Sequence, residues 1–220
     1  TQSLFAAILN LQFPSVPLLV IVPTEKEAEI FGEDLRQFCG SRNPGETAKT
    51  SCRLFPRHET EPYDRFSPQI LTTATRMEAL HQLSIGLVEP AVPAQVVITC
   101  ISALSLRVPD RTALNQHTEN INVGEFRDRD ELVLKFVSTG YSRQSAVEEV
   151  GEFSVRGGIV DIFPPYRRKP IRIEFFGDEI ESIREMDPSS QRSEVSIDSV
   201  VIPPARELLF TRDTIVACGN

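Results

Sequence analysis

None of the 11 glycines in this 220-residue chain is followed by a lysine. That excludes a G-x-x-x-x-G-K-[ST] loop, and with it the backbone cradle and the lysine that hold nucleotide phosphates. Cysteine is sparse: Cys39, Cys52, Cys100 and Cys218 lie far apart and match no zinc spacing, which requires close pairs converging on one ion. His58, His81 and His117 are equally scattered, so no metal site is expected. The longest apolar runs, Leu18 to Val22 and Gln95 to Cys100, are far shorter than the roughly 20 residues of a membrane-spanning helix. Thr1 to Asn10 has neither a basic flank nor a small-residue cleavage site, so no signal peptide is expected and the cytoplasm is the expected compartment. An excess of positive charge is missing too. The formal net charge is −8, and residues 113–198 hold 11 Lys or Arg against 17 Asp or Glu. Strong autonomous DNA binding is therefore not expected, since phosphate neutralisation needs a locally basic surface.

What is present is a pattern of alternating strands and helices. Leu18 to Val22 is a continuous β-rich run, predicted to be a strand covered on both faces. Thr24 and Glu27 form a capping box ahead of Ala28, Phe31, Leu35 and Phe38 at helical spacing, with Gly40 as the stop. Arg53 to Phe55 and Val96 to Thr99 are further strands. Between them come the proline-marked loop Pro56 to Pro68 and a helix carrying Met77, Leu80, Leu83 and Leu87. This order predicts an α/β layer with a parallel sheet and helices on both faces for residues 1 to about 112.

The pattern changes after Pro109. Asp128 and Glu131 are placed to cap a helix whose apolar positions are Leu132, Val133, Phe136 and Val137, ending near Gly140. Beyond it, Phe153 to Phe163, Ile171 to Phe176 and Glu179 to Met186 are β-rich, the last two joined by Gly177 and Asp178 at hairpin spacing. An antiparallel sheet packed on one helix is predicted. Val195 to Ile202, followed by Pro203 and Pro204, is expected to return the chain to the first sheet, which would make the second domain an insertion.

The stretch from Tyr141 to Gly158 is the most distinctive. Arg143 and Arg156, with Tyr141 and Phe153, are the residue types that dominate protein interfaces, because a guanidinium binds carboxylates bidentately and an aromatic ring buries much area. The competing readings are arginines solvated or paired with Glu148, Glu149 or Glu152, and Phe153 as core. Gly157 and Gly158 mark a bulge or a close backbone approach. Arg167, Arg168 and Lys169 form a basic turn tip. The acidic pairs Asp130/Glu131 and Asp178/Glu179 read as solvated carboxylates rather than Mg²⁺ ligands.

Several long strings carry a resemblance. Phe55 Pro56, Glu59 Thr60 and Pro62 Tyr63 Asp64 Arg65 Phe66 Ser67 Pro68 form the first. Gly151 through Pro164 (GEFSVRGGIVDIFP), Ile171 through Ile180 (IRIEFFGDEI) and Pro203 Pro204 Ala205 Arg206 Glu207 follow. Together they resemble the UvrB homology module of bacterial transcription-repair coupling factors, over roughly residues 18 to 210. The resemblance implies a degenerate helicase-like (RecA-like) layer over residues 1–112 and 199–220, with an inserted UvrA-binding α+β domain over 113–198. It implies a non-catalytic module that recruits UvrA to stalled RNA polymerase in nucleotide excision repair. ATP, Mg²⁺, polymerase and DNA would be handled by other parts of a longer translocase. Arg143 and Arg156 match arginines used on UvrA, and Phe153 lies beside them. Ser154 stands where UvrB carries a third arginine. The competing function classes are a fragment of a UvrB-like ATP-dependent helicase or damage-loading enzyme, and a purely structural spacer.

Overall fold

The computed structural model describes residues 2–13, 16–39, 51–58, 69–86 and 95–207. The chain divides into two compact units, Thr1–Val108 and Pro109–Asn220. Gly40, Leu87, Cys218, most of the Pro56 to Pro68 loop with its Pro62 to Pro68 string, and 208–220 lie outside the described residues.

The first unit runs α1 (Gln2–Gln12), β1 (Leu18–Val22), α2 (Glu25–Cys39), β2 (Ser51–Phe55), α3 (Ile70–Gly86), β3 (Gln95–Cys100) and α4 (Ile101–Leu104). Its strands are parallel in the order β1-β3-β2. Parallel neighbours require crossovers, and α2 and α3 supply helix between strands, as the alternating pattern predicts. The capping box is real: the Thr24 N–H donates to Glu27 Oε2 (3.2 Å) and the Glu27 N–H to Thr24 Oγ1 (3.3 Å). Ala28 and Leu35 of α2 pack with Ala6 and Ala7 of α1 against Val96 and Ile98 on one sheet face. Ala79 of α3, Val97 and Ala103 pack with Phe55 on the other. One expectation needs correction. β1 is covered on one face only among the described residues, with Leu19 and Ile21 about half exposed, because α3 on the other face packs over β2 and β3.

The second unit holds α5 (Arg111–Gln116), β4 (Glu119–Asn122), α6 (Arg129–Ser138), β5 (Ser142–Arg143), β6 (Glu152–Arg156), β7 (Ile159–Ile162), β8 (Ile171–Phe176), β9 (Glu179–Met186), β10 (Ser193–Ile197) and β11 (Ser199–Ile202). Six strands form one sheet in the order β10-β9-β8-β7-β6-β5, antiparallel except for the β5/β6 pair. The Asp128 carboxylate accepts from the Asp130 and Glu131 N–H groups at 2.8 and 2.9 Å and starts α6. Gly140 follows the helix at φ 92°, a left-handed position that glycine reaches without Cβ strain. Leu132 and Phe136 bury fully on the sheet face formed by Phe153, Val160, Ile162, Ile171, Ile173 and Ile183. Each such side chain contributes about 1.5–3 kcal/mol by leaving water. Val137, read as part of the apolar face, is instead 54% exposed.

The segment read as one strand from Val195 to Ile202 breaks at Asp198. β10 stays on the six-stranded sheet, while β11 leaves it to pair antiparallel with β4. Ile121, Val200 and Ile202 from this pair join the same core, and the buried Tyr141 hydroxyl donates to the Pro203 carbonyl at 2.7 Å. The described part of 199–220 is thus strand-paired within the second unit. The structure is mixed α/β with several sheets, one of them predominantly antiparallel.

Candidate partner-binding surface

Strand alternation divides the Tyr141 to Gly158 stretch. Phe153 registers with Ile162 and points into the core, fully buried, its ring 6.0 Å from that of Phe136 in an edge-on contact. This is the core alternative for Phe153, and its buried ring supports the strand. Ser154, Asp161, Arg172 and Arg184 form one row across β6, β7, β8 and β9 on the opposite face. Arg156 follows two residues after Ser154 and projects from that same face.

Asp161 organises this face. It is 1% exposed and accepts two bonds from Arg172, Nε to Oδ1 at 2.7 Å and Nη2 to Oδ2 at 2.9 Å. That bidentate bond, the main cause, holds the Arg172 guanidinium pKa above its ordinary value. Arg156 Nη2 lies 3.5 Å from Asp161 Oδ2 and 3.3 Å from Gln191 Oε1, and its side chain remains 52% exposed. Arg184 Nη2 stands 3.7 Å from Glu174.

Arg143 lies on β5, the edge strand, in register with Phe153 and three residues along the sheet from Arg156, about 10 Å by strand rise. It is exposed and has no hydrogen-bond or ion-pair partner among the described residues. The local-acid alternative is therefore not realised for it: Glu152 instead accepts from the Glu148 and Glu149 N–H groups, both at 2.9 Å. A partner touching both arginines straddles the β5 edge.

The glycine pair is a hairpin turn between β6 and β7, with Gly157 at φ 59°. Gly158 is the close approach: a Cβ there would sit 2.7 Å from the Phe175 carbonyl oxygen. The basic tip is largely neutralised locally, Arg167 pairing with Glu185 at 2.7 Å and Lys169 with Glu194. The acidic pairs sit at the α6 start and in the β8/β9 hairpin as expected, and among the described residues no group of three or more His, Cys, Asp or Glu is placed to hold a metal. No described helix is long and apolar enough to cross a membrane.

Asp161, Arg172 and Gln191 escaped the sequence reading. The first two had a signal, a charged residue flanked by β-branched residues in each of two strands, Val160-Asp161-Ile162 and Ile171-Arg172-Ile173, with opposite signs. Gln191 had none.

Residues 120–208, which contain every element of this surface, match the model of the UvrB interaction domain. Over those residues the chain is similar to the UvrB interaction domain. The wider chain is similar to proteins called transcription-repair-coupling factor. It is 37% identical to that of Myxococcus xanthus over 198 residues, 90% of this chain and 16% of the relative. With that of Mycobacterium tuberculosis (strain CDC 1551 / Oshkosh) it shares 34% over 200 residues, 90% of this chain and 15% of the relative. With that of Staphylococcus aureus (strain MRSA252) it shares 38% over 157 residues, 71% and 13%. The chain spans about one-sixth of the length of the first of these relatives.

Proposed function

We propose that this chain is a non-catalytic docking module that recruits UvrA in transcription-coupled nucleotide excision repair, through a surface centred on Arg143 and Arg156. The observation that carries the reading is the state of those two arginines. Arg143 is exposed with no partner among the described residues, and Arg156 is half exposed beside a carboxylate already claimed by Arg172. Two guanidinium groups left with uncancelled charge, at one edge of a UvrB interaction domain, suit carboxylates on a protein partner.

In this reading the parallel β1-β3-β2 sheet, flanked by helices on both faces, is a degenerate RecA-like layer without a phosphate loop. ATP, Mg²⁺, RNA polymerase and DNA are engaged by other parts of a longer cytoplasmic protein, and this chain supplies the UvrA contact.

Titration of UvrA against the chain and its Arg143→Ala, Arg156→Ala and double variants tests the proposal. Loss of a hot-spot arginine costs about 2 kcal/mol, so each single variant is expected to bind roughly thirtyfold more weakly. Unchanged affinity in a folded double variant overturns the docking surface. ATP turnover by the purified chain overturns the non-catalytic reading.

A further inference from the structure

Gln191 has a backbone conformation that its own sequence does not explain. At φ 58° it is the sole non-glycine with positive φ among the described residues, in a region where Cβ crowds the backbone. A tight turn holds it there. The Gln191 N–H donates to the Asp187 carbonyl at 2.8 Å, and the Asp187 N–H donates to the Arg192 carbonyl at 2.9 Å. The Asp187 carboxylate accepts from the Ser189 N–H at 2.8 Å and the Ser190 hydroxyl at 3.1 Å.

From this position the carboxamide reaches three separate segments. Nε2 donates to Pro188 O at 2.7 Å and to Val147 O at 2.9 Å. Both amide hydrogens are thereby used on carbonyls, which fixes the orientation of the group and leaves Oε1 to face Arg156 Nη2 at 3.3 Å. Val147 is fully buried and belongs to the segment that follows Arg143. One side chain thus ties the segment leaving Arg143 to the 187–192 turn and to the tip of Arg156.

The chemistry of that contact matters as much as its reach. Asp161 is occupied by two short bonds from Arg172, and its 3.5 Å separation from Arg156 is at the limit of a hydrogen bond. Gln191 is neutral. It orders the Arg156 guanidinium without cancelling its charge, whereas a carboxylate in its place would do both. An arginine ordered before association loses less conformational freedom on binding.

We propose that Gln191 is a positioning residue of the docking surface, presetting the Arg156 guanidinium to receive a carboxylate of the partner. This rests on the docking reading above, so the test has one arm that needs no partner. Gln191→Gly removes the carboxamide while leaving positive φ freely accessible, and Gln191→Glu keeps an acceptor oxygen but adds a negative charge and gives up the two donor bonds to Val147 O and Pro188 O.

In the free chain, ¹⁵N relaxation of the Arg156 Nε–H group is expected to show increased fast motion in Gln191→Gly. In UvrA titration, Gln191→Gly is expected to bind about fivefold more weakly. It should add no further loss in an Arg156→Ala background, and Gln191→Glu should bind more weakly still. Equal Arg156 mobility in the parent and Gln191→Gly chains overturns the proposal. So does an affinity loss from Gln191→Gly that persists without Arg156. If Arg156→Ala alone leaves UvrA affinity unchanged, the positioning role fails; if the folded Arg143→Ala/Arg156→Ala double variant does so, the docking reading fails as well, while the relaxation arm still decides whether Gln191 holds Arg156.

Discussion

Arg172 grips Asp161 through two bonds of 2.7 and 2.9 Å, on a carboxylate only 1% exposed on β7, an interior strand of the six-stranded sheet. A buried charge is tolerable only when paired, and removing one partner leaves the other stranded. Asp161→Asn keeps the shape and removes the charge. It is expected to lower the stability of the second unit by about 3 kcal/mol, read from the denaturant midpoint at constant slope. A loss under about 1 kcal/mol would show that water satisfies Arg172 instead.

The parts of this structure that were legible in the sequence are those fixed by near neighbours. The Thr24/Glu27 capping box, the Asp128 cap and the two-residue Gly177–Asp178 hairpin each depend on atoms within a few positions, and each is found where the residues place it. The division of β10 from β11 was not legible. The stretch from Val195 to Ile202 reads as one strand, and its change of sheet at Asp198 is set by pairing with β4, whose polar Glu-Asn-Ile-Asn carries no strand signal of its own. The candidate site divides the same way. Composition singled out Arg143, Phe153 and Arg156, but only register with Ile162 and the ring of Phe136 send Phe153 inward. Gln191 meets Arg156 across 35 residues, a distance over which side-chain chemistry leaves no trace in the sequence.

Gly157 and Gly158 sit side by side in the β6/β7 turn for different reasons, and substitution separates them. At Gly157 an alanine meets open space and pays only the left-handed backbone cost, about 1 kcal/mol. At Gly158 it meets the Phe175 carbonyl oxygen at 2.7 Å, a backbone atom held in place by the 2.7 Å bond from the Phe175 N–H to Gly158 O. Gly158→Ala is expected to cost about 2 kcal/mol through forced backbone movement. Thermal melts of the two variants should rank Gly158→Ala below Gly157→Ala, and the reverse order contradicts the close-approach reading.

His81 makes the first unit sensitive to pH. Burial in α3 holds its imidazole pKa down at about 4, against an ordinary value of 6.5. The unfolded chain therefore takes up a proton near pH 6.5 that the folded unit refuses until about pH 4. The stability linked to His81 is fully present above pH 6.5 and declines as pH falls toward 4, by roughly 3 kcal/mol in all. Denaturant melts between pH 6.5 and 5, where carboxylates contribute least, should show this slope in the parent chain and a shallower one in His81→Gln. Equal slopes would remove His81 as the cause.

Ser154 occupies the position at which an arginine would enlarge the proposed docking surface, yet in this fold the residue, although on the same sheet face as Arg156, is buried. The residue is 1% exposed, registers with Asp161, and its hydroxyl is buried with no hydrogen-bond partner among the described residues. A buried hydroxyl left unpaired costs about 1–3 kcal/mol, so its removal relieves a penalty rather than breaking a bond. Ser154→Ala is expected to leave the stability of the second unit unchanged or raise it by about 1 kcal/mol. UvrA affinity should not move, because the atom deleted is buried and out of a partner's reach. A stability loss in the same denaturant assay would mean that the hydroxyl is satisfied by an ordered water bridging it to the Asp161–Arg172 pair, and would make Ser154 part of the support for that pair.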